Sequence, residues 1–251
     1  MKTIYSISLT VVALVLFTIS MPLYASRTDD RIESTARKSY VFKTYLQDDD
    51  IKIQSLEGAV TLTGSVNENF HKSLAQETVA GLPGVKSVDN RLEVKGTPPT
   101  EDSDAWLLDK VKVTLLFHRS VSGLQTEVDV KDGIVTLQGE AASQAQKELT
   151  TEYAKDVEGV KDVNNEMTVA KTSKKTRTAG QKIDDASITA QVKMALLYHR
   201  STSALNTKVA TRLGVVTLRG KAENAAEVTL ATKLANDVTG VKGVTNRMNI
   251  E

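Results

Sequence analysis

The sequence predicts an α+β protein of three tandem α-β-β-α-β domains, each with two helices packed on a three-stranded sheet. Three observations lead to this fold class. One spacing of glycines occurs three times along the 251 residues, an alternation of apolar and polar residues surrounds the first glycine of each copy, and apolar residues at helical spacing stand on either side of that alternation. Each copy of the pattern is therefore predicted to form one small domain.

The glycines define the repeat unit. In each copy a second glycine follows the first after six residues, and a third follows the second after twenty. The three sets are Gly58, Gly64 and Gly84, then Gly133, Gly139 and Gly159, then Gly214, Gly220 and Gly240. Each third glycine is followed six residues later by an asparagine, at Asn90, Asn165 and Asn246. Aspartates open the copies at Asp29, Asp104 and Asp185.

A helix and a hairpin begin each copy. In the second copy the apolar residues at helical spacing are Leu107, Leu108, Val111, Leu115 and Leu116, and in the third they are Ile188, Val192, Ala195 and Leu196. Asp104 is predicted to cap the helix of the second copy. Residues 126–130 then alternate with period two, Asp132 and Gly133 provide a tight turn, and residues 134–137 resume an extended strand.

A second helix and a last strand complete each copy. Ser143 and Asn224 are the predicted N-caps of the second helix. Its predicted inward positions are Leu149, Tyr153 and Val157 in one copy and Leu230, Leu234 and Val238 in the other. The third glycine suits the left-handed backbone at a helix C-terminus, and the last strands are predicted over residues 163–169 and 244–250.

These elements place the three domains at residues 28–95, 103–170 and 184–251. The first is divergent: Glu57 replaces the aspartate of the turn, and its first helix is polar at Arg37, Lys38 and Ser39.

Two connections separate the domains. Pro98 and Pro99 predict a short, stiff spacer, and residues 171–182 form a basic linker. Because both connections are polar or stiff, each domain is expected to unfold independently of its neighbours.

Residues 1–25 have the pattern of a secretory signal peptide. Lys2 gives a basic start, an apolar run covers residues 4–19, and small residues end at Ala25. An uncleaved anchor is the alternative, but the run is shorter than the roughly 20 residues that cross a bilayer, and Pro22 interrupts it. Cleavage would remove one of 32 basic residues and no acid, which leaves 31 of each. The bacterial periplasm is the expected location.

The composition argues against most catalytic chemistry. Without cysteine and with three histidines, thiolate zinc sites, cysteine nucleophiles and most histidine metal centres are excluded. The chain contains no G-x-S-x-G, H-E-x-x-H or glycine-rich phosphate-loop sequence. We therefore expect no enzyme, no cofactor, no metal and no small-molecule substrate. A neutral mature chain also disfavours nucleic acid as a partner.

A second repeated segment has a structural interpretation. His118, Arg119 and Ser120 recur at His199, Arg200 and Ser201, at the C-terminal end of the first helix. A cation there favours the helix dipole and bonds exposed carbonyls, so a structural role is predicted.

The series D-G-x-V-T-L-x-G, a helix, and G-V-x-x-V-x-N resembles the BON-domain family, over nearly all of the chain that follows the leader. The resemblance implies a non-enzymatic, exported binding protein of the envelope stress response. Two kinds of partner remain open: an anionic phospholipid surface, or unfolded outer-membrane proteins held as a chaperone holds them. The alternative is a structural adaptor in an envelope protein complex.

Two groups of residues are candidates for ligand binding. Trp106 stands at a helix entry, a position that belongs to the lipid-facing surface in related two-domain lipoproteins, and Lys110 and Lys112 follow it. The alternative is a structural role, in which the Trp106 side chain packs against the sheet and fixes the start of the helix. The second group is the set of linker cations, Lys171, Lys174, Lys175, Arg177 and Lys182.

The charges are unevenly distributed. Residues 100–170 hold seven basic and fourteen acidic side chains, and residues 183–251 hold nine basic and six acidic. This favours either attraction between the second and third domains or association of the linker and third domain with an anionic surface. The alternative is a solvated linker beside faces with no binding role.

Overall fold

The computed structural model describes residues 27–96, 99–100, 103–170, 182–199, 201–202 and 207–250. The predicted signal peptide lies outside these residues, as does all of the basic linker except Lys182.

Three copies of one element order follow one another, here called repeats 1, 2 and 3. Repeat 1 consists of α1 (Arg27–Lys38), α2 (Tyr40–Thr44), β1 (Asp50–Leu56), β2 (Ala59–Val66), α3 (Asn69–Ala80) and β3 (Ser87–Val94). Repeat 2 consists of α4 (Asp104–Phe117), β4 (Thr126–Lys131), β5 (Ile134–Ala141), α5 (Gln144–Lys155), β6 (Asp162–Asn165) and β7 (Thr168–Val169). Repeat 3 consists of α6 (Asp185–Tyr198), β8 (Thr207–Arg212), β9 (Val215–Ala222), α7 (Ala225–Asp237) and β10 (Gly243–Ile250). The predicted fold class is confirmed.

The second strand is central in every sheet. It pairs with the first strand in an antiparallel hairpin and with the last strand in parallel. In repeat 2 the last strand is interrupted, so that β6 and β7 pair separately with β5. Because the helices cover one face of each sheet, the alternate residues of every strand lie on the opposite face, called the open face below.

The aspartates at the start of each repeat, Asp29, Asp104 and Asp185, form hydrogen bonds with the backbone of the hairpin turns. The turn residues Glu57, Asp132 and Leu213 have φ of 53°, and the glycines after them have φ of 80–84°. Both central residues are thus left-handed, as in a type I′ turn. The carboxylate of Asp104 accepts hydrogen bonds from Asp132 N (2.7 Å) and Gly133 N (2.9 Å). Equivalent pairs of bonds, of 2.7–3.0 Å, reach Asp29 and Asp185.

The prediction that Asp104 caps its helix is wrong. Ser103 is the N-cap, and its hydroxyl accepts from Trp106 N at 3.2 Å. In repeat 3 the cap is Asp184. The predicted caps Ser143 and Asn224 are confirmed. The third glycines adopt φ of 94–96°, but they lie in the turn beyond the helix, because α5 already ends at Lys155.

The repeated asparagines tie the last strand to the second helix. The amide of Asn165 donates to Lys147 O and Thr151 Oγ1, both at 2.8 Å, while its carbonyl oxygen accepts from Met167 N. Asn90 and Asn246 make the same set of contacts in their own repeats. The repeated aspartate, glycine and asparagine therefore all serve the fold.

The first helix of repeat 1 is broken at Ser39, which caps the short helix α2. Residues of repeat 3 supply further partners there: Tyr40 N donates to Asp184 Oδ2 at 2.8 Å, and Val41 N donates to Ser187 Oγ at 3.1 Å. The polar stretch at residues 37–39 is thus followed directly by the segment where repeat 1 contacts repeat 3.

The repeats do not form independent cores. Leu107, Val111 and Leu115 of α4 face the core of repeat 2. On the other side of the same helix, Val113 and Phe117 enter the core of repeat 1. Helix α6 likewise serves two cores: Ile188, Val192, Ala195 and Leu196 face repeat 3, whereas Ala186, Ala190 and Met194 face repeat 1. The shared cores do not support the expectation of independent unfolding. Because α4 and α6 join the three repeats, we expect the repeats to unfold together.

One predicted inward residue is also misplaced. Leu149 of α5 is 41% exposed, although Val157 is buried as predicted. Thr150 and Ala154 are the buried residues of that helix, since it covers the sheet with small side chains.

Candidate functional site

Trp106 covers a buried lysine. Its ring lies partly exposed in the first turn of α4, and Lys110 Nζ lies 3.9 Å from the ring centroid. Lys110 is 5% exposed, donates to the Glu158 carbonyl at 3.4 Å and lies 3.9 Å from the Glu158 carboxylate. Among the described residues, Trp106 is not a member of any of the three apolar cores. The structure brings Trp106 and Lys110 together, but it directs the ammonium group toward protein atoms.

Lys112 contacts another repeat. Its Nζ lies 3.2 Å from Glu68 Oε1, immediately before α3 of repeat 1. Asp109 lies in the same junction, where burial and the nearby Glu68 carboxylate raise its pKa to about 6, against the opposing effect of Lys112. Burial, followed by the charge of Asp109, raises the pKa of Tyr198 to about 12. Lys112 thus offsets acidic groups where the three repeats meet.

Lys182 is exposed, just before α6. The other four linker cations, Lys171, Lys174, Lys175 and Arg177, lie outside the described residues.

The repeated histidines lie between repeats 2 and 3. His118 Nδ1 lies 2.8 Å from Asp237 Oδ2, and its ring stacks on Tyr153 with centroids 4.0 Å apart. Ser120 Oγ and the hydroxyl of Tyr153 also donate to the Asp237 carboxylate. Burial opposes ionisation of Asp237, but the hydrogen bonds from these three side chains outweigh it and lower its pKa to about 2.

The two repeats exchange equivalent backbone contacts at His118 and His199. His199 pairs with Val157 in an isolated β-bridge, as His118 pairs with Val238. The structural interpretation of the histidines is consistent with this arrangement, but His118 contacts a carboxylate of another repeat in addition to serving the helix end.

The open face of repeat 3 carries a concentrated positive charge that the sequence interpretation missed. Five cations lie there, and no carboxylate of the described strands shares the face with them. They are called the basic face: Lys208, Arg212, Arg219, Lys221 and Arg247. Lys208 is the register partner of Arg219, which is also the partner of Arg247. Three cations thus lie side by side across three strands. The sequence contains a signal for this face, because its cations alternate with inward-facing residues such as Val209, Val216 and Leu218.

Equivalent positions in the other repeats differ in charge. In repeat 2 the row is Glu127, Gln138 and Glu166, where the Gln138 amide donates to Glu166 Oε2 at 2.9 Å. In repeat 1 it is Lys52, Thr63 and Arg91, and Arg91 is paired with Asp89 at 2.7 Å. The same sheet geometry therefore presents an acidic, a mixed and a basic open face.

Like charges directly opposite one another on a sheet are destabilising by up to about 1 kcal/mol per pair. Among the described residues, no carboxylate pairs with Lys208, Arg219 or Arg247. The row is therefore a position at which an anionic partner would relieve repulsion.

Neither a metal centre nor a membrane-spanning helix is found in the part of the chain that the structure describes. No group of three His, Cys, Asp or Glu side chains there is arranged to hold a metal ion. None of the helices in those ranges is both long enough and apolar enough to cross a membrane.

Comparisons with known proteins agree with the repeat pattern. A family model described as the BON domain matches residues 28–96, 103–171 and 184–251. The osmotically-inducible protein Y of Escherichia coli (strain K12) is 34% identical over 143 residues, which cover 55% of this chain and 71% of that protein. An uncharacterized protein in the gshII 5′ region of Anaplasma centrale is 29% identical over 148 residues, covering 59% of this chain and 95% of that protein.

Among solved structures, the C-terminal domain of CdsD, a structural protein of the type III secretion system of Chlamydia trachomatis, is similar at 16% identity. The match covers 84% of this chain and 95% of that chain, with a TM-score of 0.24.

Proposed function

Because the chain belongs to the BON domain family, we propose that it is a non-enzymatic envelope protein of the osmotic-stress type that binds an anionic phospholipid surface. Its relative in Escherichia coli is named for osmotic induction, and the leader pattern of residues 1–25 supports export to the periplasm.

The observation that carries this proposal is the basic face of repeat 3. Its cations lie on one sheet surface with no carboxylate of the described strands between them, so they approach a flat anionic surface together. Each Lys or Arg near an anionic leaflet contributes about 1 kcal/mol, and the attraction decreases within a Debye length. Lys182 and the four other linker cations, which precede α6 in the chain, would add to the same attraction.

The Trp106 site has a smaller part in this proposal. Lys110 and Lys112 are engaged with Glu158 and Glu68, so they offer less charge to a membrane than the basic face does. Trp106 retains a partly exposed ring, which suits an interfacial anchor. Its contribution would require repeat 2 to approach the surface, although that repeat is acidic.

Vesicle sedimentation tests the proposal. The full chain without its leader is mixed with phosphatidylglycerol or phosphatidylcholine vesicles at low and high salt. Lys208→Gln with Arg247→Gln should weaken binding to phosphatidylglycerol by up to about 30-fold, if each cation contributes about 1 kcal/mol. Equal binding to both lipids, or no binding at low salt, would reject the lipid proposal.

Repeat 1 offers a matched control. Lys52→Gln with Arg91→Gln removes the same two charges at the same two registers, so the net charge of the two variants is equal. This control should retain most of the binding. Two further variants rank the other candidates: a linker with its five cations changed to Gln, and Trp106→Ala.

The holding of unfolded proteins has less support. Exposed large apolar side chains are dispersed over all three repeats, at Leu56, Leu124, Ile134, Leu149, Val169, Leu197, Leu213, Val215 and Ile250. A chaperone surface would instead need a contiguous apolar patch of several hundred Å². The role of adaptor is favoured by one observation, the oppositely charged open faces of repeats 2 and 3.

A further inference from the structure

The open face of repeat 2 is the counterpart in charge of the basic face. Five carboxylates lie on it beside one cation, Lys131, and they are called the acidic face: Glu127, Asp129, Glu140, Asp162 and Glu166. Three of its positions correspond to cations of repeat 3 across the 81-residue offset. Glu127 corresponds to Lys208, Glu140 to Lys221 and Glu166 to Arg247.

In the described ranges, repeats 2 and 3 contact each other through elements other than these two sheet faces. They contact each other through their helices and the segments that follow them. The side chains of His118, Ser120 and Tyr153 form hydrogen bonds with the Asp237 carboxylate, and the backbone N–H of Arg119 donates to the Asp237 carbonyl. In the described ranges, no ion pair joins a residue of the acidic face to one of the basic face. The cation row Lys208, Arg219 and Arg247 and the carboxylates of the acidic face are exposed in the described structure, so they are accessible to a partner outside the chain.

The two faces share one backbone framework and carry opposite charge. They are the same surface of the same three-stranded sheet, with the same hairpin turn and a central strand of eight residues. Two such faces pack at the spacing of stacked sheets, with carboxylates of one opposite the cations of the other. This arrangement relieves the repulsion along Lys208, Arg219 and Arg247 and the repulsion among the carboxylates at once.

We propose that the acidic face of one molecule binds the basic face of a second copy of this chain. The contact is heterologous, so a pair still exposes one acidic and one basic face, and further molecules add in the same way. Each face measures roughly 300–400 Å² from strand spacing and rise. Because a stable interface buries about 800 Å² per partner, the association is weak, concentration-dependent and sensitive to salt.

This proposal goes beyond lipid binding and has its own consequence. The basic face accepts either an anionic membrane or the acidic face of a second copy, and the two occupants exclude each other. Self-association therefore keeps part of the protein away from the membrane, whereas dilution releases it.

Sedimentation velocity of the full chain without its leader tests the inference. The weight-average mass should rise with concentration at about 0.01 M salt, where the Debye length is about 30 Å, and return to the monomer value at about 1 M. Glu127→Lys with Glu166→Lys leaves three cations and three carboxylates on the open face of repeat 2, which is then neutral, and keeps the basic face intact. Lys208→Glu with Arg247→Glu leaves three cations and two carboxylates on the open face of repeat 3, which is then nearly neutral, and keeps the acidic face intact. Each variant alone should remain monomeric at low salt.

The decisive sample is the equimolar mixture of these two variants, which should associate although neither does alone. Lys52→Glu with Arg91→Glu in repeat 1 is the control and should associate as the wild type does. Three results would each overturn the inference. The mixture could stay monomeric, the wild type could stay monomeric at low salt, or the face variants could associate like the wild type. Vesicle binding is measured separately on Glu127→Lys with Glu166→Lys, which should still bind, so a failure of self-association is distinct from a failure of the lipid proposal.

Discussion

Repeats 2 and 3 have the same fold but opposite surfaces. In each, an aspartate binds the hairpin turn through two amides, an asparagine holds the last strand to the second helix, and a leucine of the central strand is fully buried, Leu137 in one and Leu218 in the other. On the open face, however, Glu127 and Glu166 stand where Lys208 and Arg247 stand 81 residues later. The difference teaches that the repeated residues specify the fold, whereas the binding that we propose depends on the positions that change.

The largest effect expected from this comparison is on the buried leucines. Leu137→Ala and Leu218→Ala should each lower the free energy of unfolding by about 2–5 kcal/mol, through lost burial and the cavity that remains. Because α4 and α6 join the cores, either change should destabilise all three repeats in one transition. Trp106, the single tryptophan, reports on repeat 2, so its fluorescence should shift for Leu218→Ala as well. A Trp106 transition unchanged by Leu218→Ala would mean that the repeats unfold separately.

Substitution of the turn aspartates should lower the free energy of unfolding by less than substitution of the buried leucines. Asp104→Ala and Asp185→Ala each remove two hydrogen bonds from backbone amides to a carboxylate, so each should cost about 2 kcal/mol. Asp129→Ala, on the open face of the same repeat, is the control and should change stability by less than about 0.5 kcal/mol. Urea denaturation measures all three. If Asp129→Ala proves as costly as Asp104→Ala, the distinction between fold positions and surface positions is lost.

The contact between the two repeats should have a pH dependence. The pKa of Asp237 is lowered to about 2 in the folded protein, so its ionised form adds stability above its ordinary value of 3.8 and that stability is lost as the pH falls toward 2. Asp237→Asn should therefore be less stable than the wild type by about 1 kcal/mol at neutral pH. Thermal unfolding over a pH series should show the two proteins converging in acid. A constant difference across the series would exclude this role for the charge.

A smaller effect of opposite sign is expected at Asp109, whose equivalent in repeat 3 is Ala190. Its pKa is raised from 3.8 to about 6, so the folded state holds the proton more tightly and stability decreases as the pH rises through this range. Asp109→Asn should therefore stabilise the protein at neutral pH by less than about 1 kcal/mol, since the side chain is only half buried. Near pH 4 the gain should vanish; a gain of equal size at both pH values would point to a cause other than ionisation.

The sequence predicted what is repeated within one domain, because spacing reports local structure. The element order, the turns at Gly133 and Gly214 and the caps at Ser143 and Asn224 followed from local rules. Contacts between repeats leave a weaker signal. Val113 and Phe117 made α4 apolar on a second side, yet only the structure identifies the core of repeat 1 as their environment. The role of Asp104 was missed because a cap and a bond to a distant turn require the same residue type.

The candidate site was less predictable for the same reason. Trp106 and Lys110 lie close together as their spacing suggests, but the partner of Lys110 is Glu158, which is distant in sequence. The basic face was not predicted from the sequence because its cations are spread over three strands. Only the strand register brings Lys208, Arg219 and Arg247 into one row.

A transfer of charge between the two repeats tests the central claim most directly. In a chain whose basic face is weakened by Lys208→Gln and Arg247→Gln, the acidic row of repeat 2 is changed by Glu127→Lys, Gln138→Arg and Glu166→Arg. Binding to phosphatidylglycerol vesicles at low salt should then rise clearly above the weakened level, with the circular dichroism spectrum and cooperative unfolding unchanged. If the transferred charges leave binding at the weakened level in a folded chain, the open sheet face does not determine what this protein binds.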